Sequence, residues 1–254
     1  MKFLLISCLI FLSNSYVSAC EFTMGYRTSE RLPFINKAPD NQGLYHGLFQ
    51  LAANSIGCKL KTVRAPKKRI LKMLAQGDVD FYPGLGKTKA REQYLYFFEN
   101  GLTSHTVAIS HQSEPDIETL AQMRGKVLLI AIGGNDFDAN KHGIYLRKAH
   151  DLSVPTALTT ISDRKADFFL YNKDSLLYYL HKHPDKSLKI HPCCFKPKAM
   201  LLGFSKKSKH LTFTKAKGGS LQLAKDSKAY LFQQALQKIQ TSETLNELKN
   251  YYFH

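Results

Sequence analysis

Short apolar runs alternate along this chain with stretches of helical periodicity. Phe22 to Tyr26 is a strand-like run. After it, Tyr45, Leu48, Phe49, Ala52, Ala53 and Ile56 recur at i, i+3, i+4, i+7, i+8 and i+11. That spacing paints one apolar stripe on a helix over Gly43 to Ile56, which Gly57 stops. Leu60 to Val63 predicts a second strand. Pro66 then opens a short helix through Arg69, Ile70 and Leu74 that closes at Gly77. Val79 to Tyr82 predicts a third strand, and Thr106 to Ser110 a fourth beyond a glycine-rich turn and an aromatic run.

A second section of the same kind begins near Ile117. Lys126 to Ile132 is continuously apolar, as in a strand buried on both faces of a parallel sheet. It runs into Gly133-Gly134-Asn135. A helix is expected over Ala139 to Ala149, and a buried strand over Ala166 to Tyr171. Met200 to Phe204 is apolar again, before a basic stretch. Leu231, Ala235, Leu236 and Ile239, then Leu245, Leu248 and Tyr252, keep helical spacing to the end. Strands alternating with helices imply α/β units with parallel sheets, here in two sections with a discontinuous boundary allowed.

The first nineteen residues pose a separate problem. Lys2 is followed by an apolar stretch from Phe3 to Leu12 and a polar stretch ending in Val17-Ser18-Ala19, the layout of a secretory signal peptide. About ten apolar residues are too few to span a bilayer. The same residues precede Cys20 much as they precede a lipid-modified cysteine, but the polar gap suits ordinary cleavage after Ala19 better. Loss of Cys8 with the signal leaves Cys20, Cys58, Cys193 and Cys194, an even count in an oxidising compartment. Cys20 and Cys58 each stand just before a strand-like run. Parallel pairing of those strands sets them side by side and predicts a Cys20–Cys58 disulfide, which excludes a lipid on Cys20. The pairing of Cys193 and Cys194 stays open.

The chain of 254 residues is 44% hydrophobic and carries a formal charge of +16. Its lysines are scattered rather than gathered in a stripe, which argues against nucleic acid as partner and for anionic envelope surfaces or acidic solutes. Enzyme signatures are missing. Gly84-Leu85-Gly86-Lys87-Thr88 imitates only the tail of a phosphate-binding loop, no Gly-x-Ser-x-Gly elbow occurs, and nothing resembles a catalytic triad. His181 and His183 near the two adjacent cysteines give weak support for zinc, so no metal or other cofactor is expected. What stands out is a set of residues on loops at strand ends, where open α/β sheets collect ligands. Arg91 follows the glycine-rich turn, and its planar fork matches a carboxylate with two charge-assisted hydrogen bonds. Gly133-Gly134-Asn135 offers a second backbone cradle for an anion. Tyr26, ending the first strand, is available to stack on a ligand or to fill the core.

In this order the pieces resemble the bacterial family 3 extracellular solute-binding proteins, the polar amino-acid receptors of ABC importers. The resemblance runs from about Phe22 to Tyr252. It rests on Gly25-Tyr26, Pro33-Phe34, Gly43-Leu44-Tyr45, Pro66 with Arg69, and above all Gly77-Asp78-Val79-Asp80 followed by Thr88 and Arg91. In the second section it rests on Arg124-Gly125-Lys126-Val127, the Gly133-Gly134 turn and Asp167, with Phe204-Ser205-Lys206-Lys207-Ser208 as the return crossing. It implies the two-lobed type II periplasmic-binding-protein fold: two parallel or mixed sheets flanked by helices and joined by a hinge of two crossings. The lobes expected are 20–108 with 203–254, and 109–202. It further implies a monomeric periplasmic protein that closes on a small polar carboxylate-bearing solute, an amino acid or derivative, and serves an inner-membrane ABC permease. Arg91 matches the carboxylate-gripping arginine, with Gly86 and Thr88 on its supporting loop. Gly134 and Asn135 match the second-lobe loop, and Tyr26 and Arg27 the first-lobe wall. The position where amino-acid binders place an acid for the ligand's ammonium is here Asn172, with Asp174 two residues on, and Gly86 stands where a hydroxyl residue is common. A dehydratase-like enzyme with Glu30 or Asp174 as its acid, and a sensory binding protein, are the alternatives.

Overall fold

The computed structural model describes residues 20–131, 138–149, 152–216 and 218–253. Strand β1 (Cys20–Tyr26) pairs in parallel with β2 (Cys58–Arg64), in a register that sets Cys20 against Cys58 and Tyr26 against Arg64. The two cysteines are bonded, with Cα atoms 4.5 Å apart. Between these strands, α1 (Leu44–Ser55) buries Leu44, Tyr45, Leu48, Phe49, Ala52 and Ala53, the stripe expected from the spacing. Helix α2 (Lys67–Gln76) ends at Gly77, whose φ of 93° lies in the left-handed region. There the N–H groups of Gly77 and Asp78 both return to Met73 O, closing the helix end in the way glycine allows.

Strand β3 (Phe81–Tyr82), the one-turn helix α3 (Lys89–Glu92) and β4 (Leu95–Ser104) follow. With β10 (Lys198–Ser205) they complete a five-stranded sheet in the order β2-β1-β3-β10-β4, with β10 antiparallel to both neighbours. Its core is aromatic: Phe22, Phe49, Phe81, Phe204 and Phe232 are fully buried. Ring centroids lie 5.3 Å apart for Phe49–Phe81 and for Phe81–Phe232. Gly25 is required inside this packing, because a Cβ there would meet Ile70 at 2.7 Å and Val79 at 2.8 Å.

The second sheet takes the order β7-β6-β8-β5-β9, from β5 (Thr106–His111), β6 (Val127–Ala131), β7 (Tyr145–Ala149), β8 (Phe168–Asn172) and β9 (Leu188–Cys194). Successive side chains of a strand point to opposite faces. Accordingly Val107, Leu129 and Phe169 enter one core cluster, while Ala108, Leu128 and Phe168 enter another. Helices α4 (Val154–Ser162) and α5 (Lys173–Lys182) flank this sheet, with Leu158, Ile161 and Leu176 in the first of those clusters. A hairpin of β11 (Phe213–Lys215) and β12 (Leu221–Leu223) precedes the closing helices α6 (Lys228–Gln240) and α7 (Glu243–Phe253). Among the described residues no helix is long and apolar enough to cross a membrane.

The chain passes between sheets twice, from Ser104 to Thr106 and from Cys194 to Lys198. A buried aspartate anchors the first sheet near its return. Asp80 accepts from Thr23 N at 2.7 Å and from Ser208 Oγ at 2.5 Å, while its own carbonyl accepts from Ser205 N at 2.7 Å. Asp167 repeats the device in the second sheet, accepting from Val127 N at 2.6 Å.

One expected element differs. Ala139 to Ala149 is not a helix but a single 3-10 turn, Ala139–His142, followed by β7. Gly143 takes a left-handed φ of 64° and ends the turn, and the chain then pairs in parallel with β6 at the sheet edge. Tyr145, Arg147 and Lys148 are exposed there, so no apolar face betrays the strand. Cys193 and Cys194, whose partners the sequence leaves open, are bonded to each other.

Candidate functional site

In the first sheet the parallel strands end together: β1 at Tyr26, β2 at Arg64, β3 at Tyr82. Tyr26 is buried, with its ring centroid 4.9 Å from that of Tyr82 and 5.8 Å from that of Tyr45. Burial pushes the Tyr82 hydroxyl well above its ordinary pKa, so it is a neutral donor. The Arg27 and Arg64 guanidinium carbons lie 6.0 Å and 5.8 Å from the Tyr26 ring centroid. Tyr26 is therefore a core residue with two guanidinium groups beside its ring.

The loop after β3 supplies the other wall. Thr88 caps the short helix α3, its Oγ1 accepting from Arg91 N at 3.3 Å, and Arg91 Nη1 donates to Gly86 O at 2.6 Å. Gly86, Thr88 and Arg91 thus form one small unit in which Nε and Nη2 of Arg91 make no protein hydrogen bond among the described residues. Gly84 brings the same loop against Arg31: a Cβ there would run into Tyr45 Oη and come within 3.3 Å of Arg31 Nη1. A larger residue is excluded at Gly84 for that reason and because its φ is 62°. Lys67, opening α2, has a lowered pKa, first through burial and then through Arg91, Arg27 and Arg31.

The second sheet contributes from β8. Asn172 is buried and caps α5, its Oδ1 accepting from Ser175 N at 3.1 Å while Nδ2 donates to Ser104 Oγ at 3.2 Å. The backbone repeats this tie, since Lys173 N donates to His105 O at 2.8 Å. Asn172 therefore joins α5 to the first crossing, with both ends of its amide engaged. Asp174, on the first turn of α5, lies within the field of Arg31, His105 and Lys249, yet burial outweighs them and raises its pKa. Tyr171, near the end of β8, acts electrostatically on Arg27 and Arg31. Gly134 and Asn135 lie outside the described residues.

Sequence reasoning singled out Arg91, Thr88, Gly86, Tyr26 and Arg27 on the first sheet's side and Asn172 on the second. It passed over Arg31, Arg64, Lys67, Tyr45, Tyr82 and Tyr171. Most of these lie at or just past strand ends, so the rule that nominated Tyr26 would have found Arg64 and Tyr82 as well.

Two α/β lobes on two crossings, with tyrosines and basic residues at the strand ends of the first, have the plan of a solute-binding protein of the periplasmic-binding type. The chain belongs to the bacterial extracellular solute-binding proteins, family 3, whose model matches residues 23–254. No curated protein matches it in sequence. Among solved structures it is similar to the GluR0 ligand-binding core in complex with L-glutamate, with a TM-score of 0.73, 14% identity and coverage of 93% of this chain and 100% of that one. An ancestral arginine-binding protein bound to arginine gives 0.69, 16%, 92% and 98% in the same terms. The substrate-binding protein of an amino acid ABC transporter from Streptococcus pneumoniae, bound to L-arginine, gives 0.68, 16%, 92% and 94%. At such identities the likeness shows the fold alone.

Proposed function

We propose that this protein captures a small carboxylate-bearing solute, an amino acid or a related acid, between its lobes and delivers it to an ABC permease. The observation that carries the reading is the Gly86–Thr88–Arg91 unit, which holds a guanidinium with two nitrogens that have no hydrogen-bond partner among the described residues. Support for uptake comes from the family and from similar structures described as ABC-transporter binding proteins. The likeness to a receptor's ligand-binding core keeps sensing as the second reading. Enzymatic turnover has less support, since the family is one of binding proteins.

Closure completes the site in this account. Arg91 grips from one lobe and the other lobe closes on the same group, through the loop of Gly134 and Asn135 expected from the sequence and lying outside the described residues, so the ligand favours the closed form by differential contact. The lobe boundaries expected after residues 108 and 202 fall inside β5 and β10, so we draw them a few residues earlier, at the two passages between sheets, with β5 whole in the second lobe and β10 whole in the first. The protein acts as an exported periplasmic monomer after loss of residues 1–19, which lie outside the described residues. The Cys20–Cys58 bond occupies the thiol that a lipid anchor would need.

Titration calorimetry with amino acids, opines and dicarboxylates tests the reading. Binding by at least one of them, weakened in Arg91→Ala, is the expected result. Full affinity in that variant sinks the site.

A further inference from the structure

Three arginines surround the end of β1, and one of them differs from the other two. Arg64 donates to Arg27 O at 2.9 Å, Asp40 O at 2.8 Å and Asn36 O at 2.7 Å, with further bonds to Thr28 O and Asn41 Oδ1. Its donors are fully engaged in pinning the loop between β1 and α1. Arg27 instead donates one long bond, Nη2 to Glu30 O at 3.3 Å. Arg31 donates Nη1 to Tyr45 Oη at 3.3 Å and lies against the Tyr26 hydroxyl. The Nε groups of Arg27 and Arg31 are buried with no hydrogen-bond partner. A guanidinium carries five N–H donors, and buried donors left unmatched are costly.

These groups converge. Arg31 abuts Gly84 and Arg91 abuts Gly86, so two guanidinium groups flank one three-residue stretch of loop. Lys67 opens α2 just past Arg64, the residue paired with Tyr26, and lies within the field of Arg91, Arg27 and Arg31. Among the described residues, none of these four cations forms an ion pair with a carboxylate. Asp174 is the acid that acts on Arg31, and Lys249, Lys173 and His105 share its field. One solute carboxylate accounts for Arg91. It leaves Arg27, Arg31 and Lys67 without an anion.

We propose that the site takes a dianionic solute, with one carboxylate on Arg91 and a second oxyanion, carboxylate or phosphate, on Arg27, Arg31 and Lys67. The inference rests on the reading of Arg91 as the carboxylate grip. It separates this chain from the similar structures that hold arginine, because a cationic solute would enter a cluster of four like charges.

The test is calorimetry on the purified protein with five probes: glutarate, L-glutamate, 3-phosphoglycerate, L-glutamine and L-arginine. At least one of the first three binds about tenfold or more tightly than L-glutamine and L-arginine, a tenfold ratio being well resolved by the method. Glutarate against L-glutamate shows whether an ammonium is wanted, and 3-phosphoglycerate whether the second oxyanion is phosphate. In Lys67→Gln and in Arg31→Gln the preference for the dianion falls towards one. Lys67 is partly exposed at a helix start, so its variant keeps the test open where Arg31→Gln fails to fold. Equal or tighter binding of L-glutamine or L-arginine overturns the proposal, as does an unchanged preference in the folded variants. If L-glutamine binds without any dianion preference and Arg91→Ala abolishes that binding, the second site falls and the carboxylate grip stands. Silence from every probe overturns both.

Discussion

A buried imidazole sets the pH response at the scale of single residues. His191 on β9 is buried, shares a 2.8 Å hydrogen bond between Nε2 and Ser110 Oγ, and accepts at Nδ1 from Ile117 N at 3.3 Å. Its pKa is lowered, first by burial and then by Lys189, against the opposing pull of Asp116 and Glu114. The unfolded chain takes up a proton near the ordinary histidine value of about 6.5, while the folded chain resists. The stability contributed by His191 is therefore present above that pH and lost as pH falls towards the folded value. Urea midpoints at pH 8 and pH 5 should differ in the wild type, and differ less in His191→Gln. An unchanged difference in the variant would assign the acid sensitivity elsewhere. Arg64 makes the second prediction at this scale. With five oxygens around its guanidinium, Arg64→Ala should destabilise the fold by about 2–4 kcal/mol, through loss of several hydrogen bonds to a charged group. Denaturation in urea measures it, and a loss below 1 kcal/mol would show that the β1–α1 loop stands without its pin.

Two elements are locked together by the disulfide between β1 and β2. Parallel pairing in the observed register puts Cys20 opposite Cys58, so the bond follows from strand order. It closes a sequence separation of 38 residues, for which chain entropy gives about 4 kcal/mol at 25 °C. Replacing both cysteines by alanine should lower stability by about 2–4 kcal/mol, read from denaturation of the oxidised protein. No change would mean that the sheet holds this register unaided. The elements legible in the sequence were those whose side chains carry a period. The stripe of α1 named its buried face, and the apolar run of β6 its place inside a sheet. Strand β7 was not legible, because an exposed edge strand has no apolar face and Ala139 to Ala149 has helix-forming composition. Helices α4 and α5 and strand β9 passed unread, although Ser153 and Asn172 cap α4 and α5 with side-chain hydrogen bonds.

For the whole molecule, the two-lobed plan was legible through the order of short motifs. Much of the site was not. Arg91 with Thr88 and Gly86 could be named from one loop, whereas Arg31 and Lys67 stand on the loop after β1 and at the start of α2, with no motif to link them. Asn172 shows the limit of position matching. Its amide is engaged in capping α5 and tying it to Ser104, so both of its ends already have protein partners. The central claim is that Arg91 grips a solute carboxylate in a cleft desolvated by closure. It is tested most directly by titrating the best-bound acid of the panel into the wild type and into Arg91→Ala. The account predicts a loss of about 2–5 kcal/mol of binding free energy in the variant, as when one partner of a desolvated charge pair is removed. Equal affinity in a folded Arg91→Ala protein would contradict it.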